Sequence, residues 1–516
     1  MFRIDSLSLP ITYSEKDLRA LVAEKLSTSS ANVKRVSLIK KSLDARHRSD
    51  VHYVLSVAVE LISEDGVVGV PYTPPKSSIK DLGLEKKSTK KHVVIVGSGP
   101  AGLFAALTLS EYGVPCTILE RGDALEERIK KVEDLRKNGI LDPESNVQFG
   151  EGGAGTFSDG KLGSGISNEY FGILYGEFIK YGAPEDIAYE SAPHVGTDEL
   201  RKVLKNIRSG LRKRGVEIRT RARLTDLVIE RGKVVGVEVN GEEIIPADYA
   251  ILAIGHSAED TFGMLEKRGV EMAPKPFSIG VRAEHEQRLV SEARYGDAAR
   301  FLPPADYKLS HRLADGRGVY TFCMCPGGEA VCSSDLDGTV VTNGMSNRKR
   351  DGRYANAAVL VSVTPDDYDD GVLGGFAFRK RYEKLAYELG GGGYRAPVQR
   401  ISDFLSDRPS TGDIETSYLP GTTAAELKYA LPDYVTAGIK EGLKEFSKKI
   451  KGYDRGVLIG VETRSSCPVR ILRDDKRQSN VKGLYPAGEG SGYAGGITSS
   501  AVDGIKTALA IYEDID

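Results

Sequence analysis

Apolar and polar residues alternate with period two in three stretches near the start of the chain, "FRIDSLSLPI", "VKRVSLIKKSLDAR" and "VHYVLSVAVEL". This is the pattern of half-buried strands. Between the first two, Leu18, Leu21, Val22 and Leu26 recur at helical spacing behind Ser14, which can cap the first turn. Residues 1–75 are therefore expected to form a small α+β domain, and the Pro-, Ser- and Lys-rich residues 76–91 a linker. Beyond it, "HVVIV" is apolar without alternation, as in a strand covered on both faces. "PAGLFAALTLSEYG" predicts a helix ending at Gly113, and "PCTILER" the next strand. Thr197 is expected to cap a helix whose stripe is Leu200, Val203, Leu204, Ile207 and Leu211. Three strands follow, "RLTDLVIE", "KVVGVEV" and "EEIIPADYAILAIG", with Asn240-Gly241 turning between the last two.

Residues 261–455 change character. "FSIGVRAEH", "GVYTFCMC" and "NAAVLVSV" read as strands of a separate sheet, and "FRKRYEKLAYELG" and "TAGIKEGLKEFSKKI" as helices. A strand–turn–helix pattern returns over 456–516. The expected architecture is α/β: an open parallel-sheet domain over 92–260 closed by 456–516, with a mainly-β domain inserted between.

Composition adds little to this. The chain is 40% hydrophobic and 28% charged with a net charge of −2, which argues against a polyanion such as DNA as partner of the whole chain. Five cysteines in 516 residues form no disulfide framework, so a reducing, cytoplasmic setting is expected. Asp5 and Pro10 interrupt the start where a signal peptide needs an apolar core. The uncharged residues 93–110 contain an interior Gly-x-Gly-Pro and read as strand, turn and helix, leaving no membrane span.

The chemistry enters with Gly97-Ser98-Gly99-Pro100-Ala101-Gly102, a G-x-G-x-x-G that follows a buried strand and opens a helix. In a Rossmann-type unit the first glycine makes the turn, the second admits a pyrophosphate and the third lets helix and strand pack. The helix N-terminus then faces the phosphates. Glu120, at the end of the next strand, is placed to accept from an adenosine ribose, with Arg121 beside it. Three further segments resemble those of two-domain flavoproteins. "DYAILAIGHS", with Gly255, resembles the strand that closes the nucleotide domain. "FGEGGAGTFSDGKLGSG" (149–165), with Gly153, Ala154, Gly155 and Lys161, resembles a loop lining pyrophosphate and flavin. "GLYPAGEGSGYAGGITSSAVDG" resembles their closing signature, in which Gly488-Glu489 holds the ribityl chain and a helix starting at Gly496-Ile497 points at the ring. These segments favour FAD over NAD(P) as the resident nucleotide.

Taken with "KKSLDAR", "PFSIGVRAEH", "TFCMCPGG", "VTNGMS" and "ETRSSCPVRI", these segments resemble the uncharacterised FAD-dependent dehydrogenases of bacteria and plastid-bearing organisms. The resemblance spans nearly the whole chain. It implies a glutathione-reductase-like FAD domain assembled from separated stretches, an inserted substrate domain and a small N-terminal domain. It supplies no substrate.

The reaction expected is hydride transfer between a small molecule and flavin N5. No second G-x-G-x-x-G follows a strand, and "ELGGGGYRAP" reads as a loop, so NAD(P)H would have to dock transiently. An RNA-modifying alternative rests on Lys34, Arg35, Lys40, Lys41, Arg46 and Arg48; residues 1–90 hold 15 Lys/Arg against 11 Asp/Glu, a net of +4. A solvated strand face explains these charges more simply. A flavin-bound scaffold without turnover is the third reading. Arg464 and Arg470 either anchor a loop by salt bridges or bind an anionic substrate. His256 reads as a hydrogen bonder at a helix start. No metal-ligand spacing is present.

"CMCPGGEAVC" holds Cys323, Cys325 and Cys332 in the inserted domain. The spacing suits neither zinc nor an unstrained intrastrand disulfide. Catalytic candidates are Lys161 and Cys325. The expectation is that the Pro326-Gly327-Gly328 turn faces the flavin across the cavity, with Cys325 on its wall.

Overall fold

A computed structural model describes residues 1–163, 168–368 and 371–515. The N-terminal strands Phe2–Pro10, Val33–Asp44 and His52–Leu61 form a sheet with Val70–Pro71 at one edge. The helix Glu15–Lys25 covers it. Ser14 caps that helix through a reciprocal box with Asp17: the Asp17 N–H donates to Ser14 Oγ, and the Ser14 N–H donates to Asp17 Oδ2 at 2.8 Å. Leu7, Leu18, Val22, Leu55, Val57 and Val59 fill the space between.

The module does not float on its linker. The Lys41 N–H donates to the Tyr189 carbonyl, the Ser191 N–H donates to the Lys41 carbonyl, and the Lys41 ammonium pairs with Glu190 at 3.1 Å. The expected linker is itself docked. Ile79 is buried, and Ser78 Oγ and the Ile79 N–H both donate to Glu177 Oε1.

The first large sheet is five-stranded and parallel, ordered Leu484–Pro486, Tyr249–Leu252, Val93–Val96, Cys116–Leu119, Glu217–Arg219. Alternate residues serve two cores, as period two requires. Val93, Ile95, Ile118 and Ile251 meet the helices Pro100–Glu111, Thr197–Lys213 and Ile497–Asp514. Val94, Val96, Leu119 and Leu252 meet an antiparallel ribbon of Leu224–Glu230, Lys233–Val239 and Glu243–Pro246.

Two expectations change here. "EEIIPADYAILAIG" is not one strand. The chain leaves the ribbon at Pro246 and joins the parallel sheet at Tyr249, with the Asp248 carboxylate accepting from the His92 N–H at 2.9 Å. Thr197 is not the cap either. Gly196 occupies that position, and the Thr197 hydroxyl donates to the Thr156 carbonyl at 2.7 Å, tying the helix to the glycine-rich stretch.

The second large sheet is built on Phe277–Glu286. This strand is antiparallel to Tyr354–Val363 on one side and to Val457–Glu462 on the other. The helices Gly374–Leu389 and Asp433–Lys449 pack against the same core. Since Val457–Glu462 belongs to this sheet, the chain rejoins the first sheet only at Leu484, later than the expected boundary at 456. The apolar run "VLIGVE" reads alike in either sheet; only its partners distinguish them.

The closing helix Ile497–Asp514 lies directly on the helix Pro100–Glu111, and Gly504 makes this approach possible: a Cβ there would overlap the Ala101 carbonyl oxygen. Gly504→Val is expected to destabilise the protein by about 1–3 kcal/mol, the usual cost of overpacking. A thermal melt lowered by several degrees checks it.

Candidate functional site

A cavity of about 880 Å³ opens where the carboxyl ends of the parallel strands meet the second sheet. Of the residues expected to hold a nucleotide, Gly97, Gly99, Pro100, Ala101, Glu120, Arg121, Gly153, Ala154, Gly155, Lys161, Gly255, Gly488, Glu489, Gly496 and Ile497 line it. Gly102 does not. It packs under the turn, where a Cβ would overlap the Gly97 carbonyl oxygen. Gly97 has φ +102 and a neighbour, the Ala253 carbonyl, that admits no side chain. Residues 164 and 165 of the glycine-rich stretch lie outside the described residues.

Two buried charges shape the nucleotide end. Glu120 accepts four hydrogen bonds, from the Ser98 N–H and hydroxyl (3.0 and 2.7 Å) and from the Gly122 and Gly150 N–H groups (2.9 and 3.0 Å). These fill the four acceptor sites of a carboxylate, so a ribose hydroxyl would have to exchange with one of them. Arg128, not singled out by any sequence motif, is fully buried. It donates to the carbonyls of Asn146, Val147, Gly150, Glu151 and Gly153 and to Thr156 Oγ1, over 2.7–3.3 Å. Burial pulls its guanidinium down to about 10. Arg121 pairs with Glu144 and Asp260 at 2.9 Å and stacks on the Phe149 ring at 4.0 Å.

At the opposite end burial pushes the Glu489 carboxyl up to about 7, opposed by the Gly496 N–H and the charge of Lys275. Such a group gains from donors, and the hydroxyls of a ribityl chain are donors. A Cβ at Gly255, Gly495 or Gly496 meets no protein atom within 4 Å, so the cavity has room beside each. The helix Ile497–Asp514 starts at this wall with its N-terminus toward the space. The glycine turn, the buried acceptor and the open helix end together fit a flavin dinucleotide.

Comparison with known proteins agrees. Residues 90–258 match the model of an FAD binding domain, 276–465 that of an FAD-dependent protein C-terminal domain-like family, and 1–60 a domain of unknown function. An uncharacterised protein of Clostridium beijerinckii is 44% identical over 528 residues, covering 100% of this chain and 99% of its own. The chain belongs to that protein's family, and it is an FAD-binding flavoprotein. A digeranylgeranylglycerophospholipid reductase of Haloferax volcanii is 26% identical over 46% of this chain and 52% of its own. Among solved structures, CtdE in complex with FAD covers 82% of this chain and 84% of its own at 12% identity and TM-score 0.32. Glycine oxidase from Bacillus cereus covers 83% and 98% at 13% and 0.35.

In this flavoprotein the sulfur chemistry differs from expectation. The strand Gly318–Cys332 is bulged between Phe322 and Cys325 and again before Gly328. Cys323 takes φ +44, so alternation breaks and Cys323, not Cys325, lines the cavity. Cys325 is fully buried behind it, its thiol donating to the Cys323 carbonyl at 3.3 Å. The Pro326-Gly327-Gly328 segment is also turned away: a Cβ on Gly327 would overlap the Arg350 carbonyl oxygen. Lys161 pairs with Asp159 and donates to the Met324 carbonyl, which fixes it beside this wall. Cys332 is buried with burial raising its thiol. Among the described residues no cluster has the makings of a metal site, and no helix is long and apolar enough to cross a membrane.

The neighbouring Cys325 thiol, with the charges of Arg282 and Lys161, holds the Cys323 thiol below its usual range. Alkylation of flavin-free protein by iodoacetamide is expected to rise at lower pH than that of an ordinary thiol, which rises around pH ~8.5. Cys323→Ser removes this phase.

Proposed function

We propose that the protein is an FAD-dependent oxidoreductase in which a small organic molecule, seated on the second-sheet side of the cavity, exchanges a hydride with the flavin. The observation that carries this reading is one continuous cavity, walled at one end by the nucleotide turn and at the other by Tyr320, Phe322, Cys323 and Asn343 of the inserted sheet. Bound FAD supplies a two-electron acceptor. The chain's own residues do the rest. The turn at 97–101 and the N-terminus of Pro100–Glu111 hold the diphosphate, and Glu489 holds the ribityl hydroxyls. The N-terminus of Ile497–Asp514 would favour negative charge at the flavin end of the cavity. A donor oxidised at an alcohol or amine carbon also sheds a proton, and Cys323 Sγ is the acceptor on that wall. The nearby Cys325 thiol and the charge of Arg282 favour its thiolate form.

The finer placement among glutathione-reductase-like flavoproteins rests on the sequence resemblance alone. The RNA reading is weakened because Lys34, Lys41 and Arg46 pair with Glu60, Glu190 and Asp44. A nicotinamide would dock transiently in the same cavity.

Anaerobic addition of NADH, NADPH and a panel of hydroxy and amino compounds to the purified protein tests the reading. At least one donor is expected to bleach the visible flavin band stoichiometrically; a flavin that none of them reduces favours a scaffold instead. Glu489→Ala is expected to weaken FAD at least tenfold, measured by flavin fluorescence, since hydrogen bonds to a charged group contribute about 1.5–3 kcal/mol.

A further inference from the structure

Six cationic side chains line the cavity: Arg121, Lys161, Arg223, Lys275, Arg464 and Arg470. Four of them are neutralised. Arg121 has Glu144 and Asp260, Lys161 has Asp159, and Arg223 has Glu144 at 2.8 Å. Arg464, one of the two arginines open to either role from the sequence, is held by Glu383 at 3.0 Å and Asp335 at 2.5 Å. That makes it an anchor.

Lys275 and Arg470 are different. Among the described residues neither side chain has a carboxylate or hydrogen-bonding partner. The Nε of Arg470 is buried and unpaired, and its guanidinium only stacks on the Tyr493 ring at 4.8 Å. Burial lowers the Lys275 ammonium and the charge of Arg470 lowers it further, opposed by the charges of Cys467 and Glu489. Arg470 lies opposite Ala273 in the short ribbon of Met272–Pro274 and Val469–Ile471, and Lys275 follows that first strand directly, its N–H donating to the Pro468 carbonyl at 2.8 Å. Two partly desolvated cations without a contacting carboxylate repel each other and lack hydration, with Glu489 and Cys467 acting on Lys275 only through their charge, and an anion between them relieves both costs.

Their place argues against the FAD diphosphate as that anion. The diphosphate belongs at the 97–101 turn, whereas Lys275 acts on Glu489 and Arg470 packs beside Gly492, on the loop leading to the flavin end. We propose that Lys275 and Arg470 bind the carboxylate of the substrate, and that this flavoprotein oxidises or reduces a small carboxylic acid. The planar guanidinium offers paired N–H donors to a carboxylate, the ammonium adds a point charge, and Tyr493 keeps the guanidinium face in place. The proposal rests on the oxidoreductase reading above.

The test is perturbation of the visible flavin spectrum of the FAD-loaded protein by benzoate and oxalate at low ionic strength, with inorganic phosphate in parallel. Wild type, Arg470→Met, Arg470→Lys and Lys275→Met are compared after flavin content is measured. Saturable carboxylate binding is expected in wild type, weakened about tenfold or more in each Met variant and partly kept in Arg470→Lys, with FAD content unchanged. Loss of FAD from the Met variants would assign the two cations to the diphosphate and overturn the proposal. So would phosphate binding in preference to both carboxylates, or retained FAD with no carboxylate effect in wild type. An insoluble Arg470→Met leaves Lys275→Met and Arg470→Lys to decide. Wild type that binds no FAD at all would instead refute the cofactor assignment beneath it.

Discussion

The cofactor seat depends on one buried guanidinium. Residues 146–156 run through the interior without forming a sheet, and their carbonyls would be unsatisfied there. Arg128 answers five of those carbonyls and one hydroxyl from a single planar fork. Glu120 works from the other side, accepting the Gly150 N–H while also holding Ser98 and Gly122. The two side chains join the first glycine turn, the end of the second parallel strand and the glycine-rich stretch into one surface. Among the described residues neither charge has an ion-pair partner in direct contact, so each is stabilised mainly by backbone dipoles. Such an arrangement is stable only while every acceptor and donor keeps its place.

On that surface the cavity divides by chemistry. The nucleotide end is glycine, backbone and a helix N-terminus. The flavin end has a buried acid, Glu489, and an open helix N-terminus. The far wall belongs to the second sheet, where a bulged strand sends Cys323 inward. Arg282 sits fully buried behind it, paired with Glu462 at 2.7 Å and donating to the Cys323 carbonyl at 3.3 Å. A β-bulge re-aims a side chain at little cost to the remaining ladder, and here it exchanges which of two cysteines faces the ligand.

Local pattern carried much of this. The Ser14 cap, the unbroken apolar strands and the glycine turn are short-range features, and each has a physical signature in a few adjacent residues. Most of the expected nucleotide-site positions fall on the cavity for the same reason, since a strand–turn–helix dictates where its turn points. What stayed hidden depends on partners distant in the chain. Val457–Glu462 is apolar in whichever sheet it joins. Arg128 lies in a helix rich in charge, and nothing local says that its acceptors are some twenty residues on. The inward turn of Cys323 needs a φ of +44 at a non-glycine residue, which no alternation rule foresees. The difference between Arg464 and Arg470 is set by Glu383 and Asp335, both remote in sequence.

Arg128 and Glu120 together build the FAD seat from the chain's own groups, independently of the cofactor. Backbone hydrogen–deuterium exchange of residues 149–157, with and without FAD, in wild type and Arg128→Lys, tests it most directly. The account predicts that this segment is already protected in flavin-free wild type and changes little on FAD binding, while the lysine variant loses the protection and binds FAD weakly. Free exchange in flavin-free wild type, or a lysine variant that binds FAD as tightly as wild type, would contradict it.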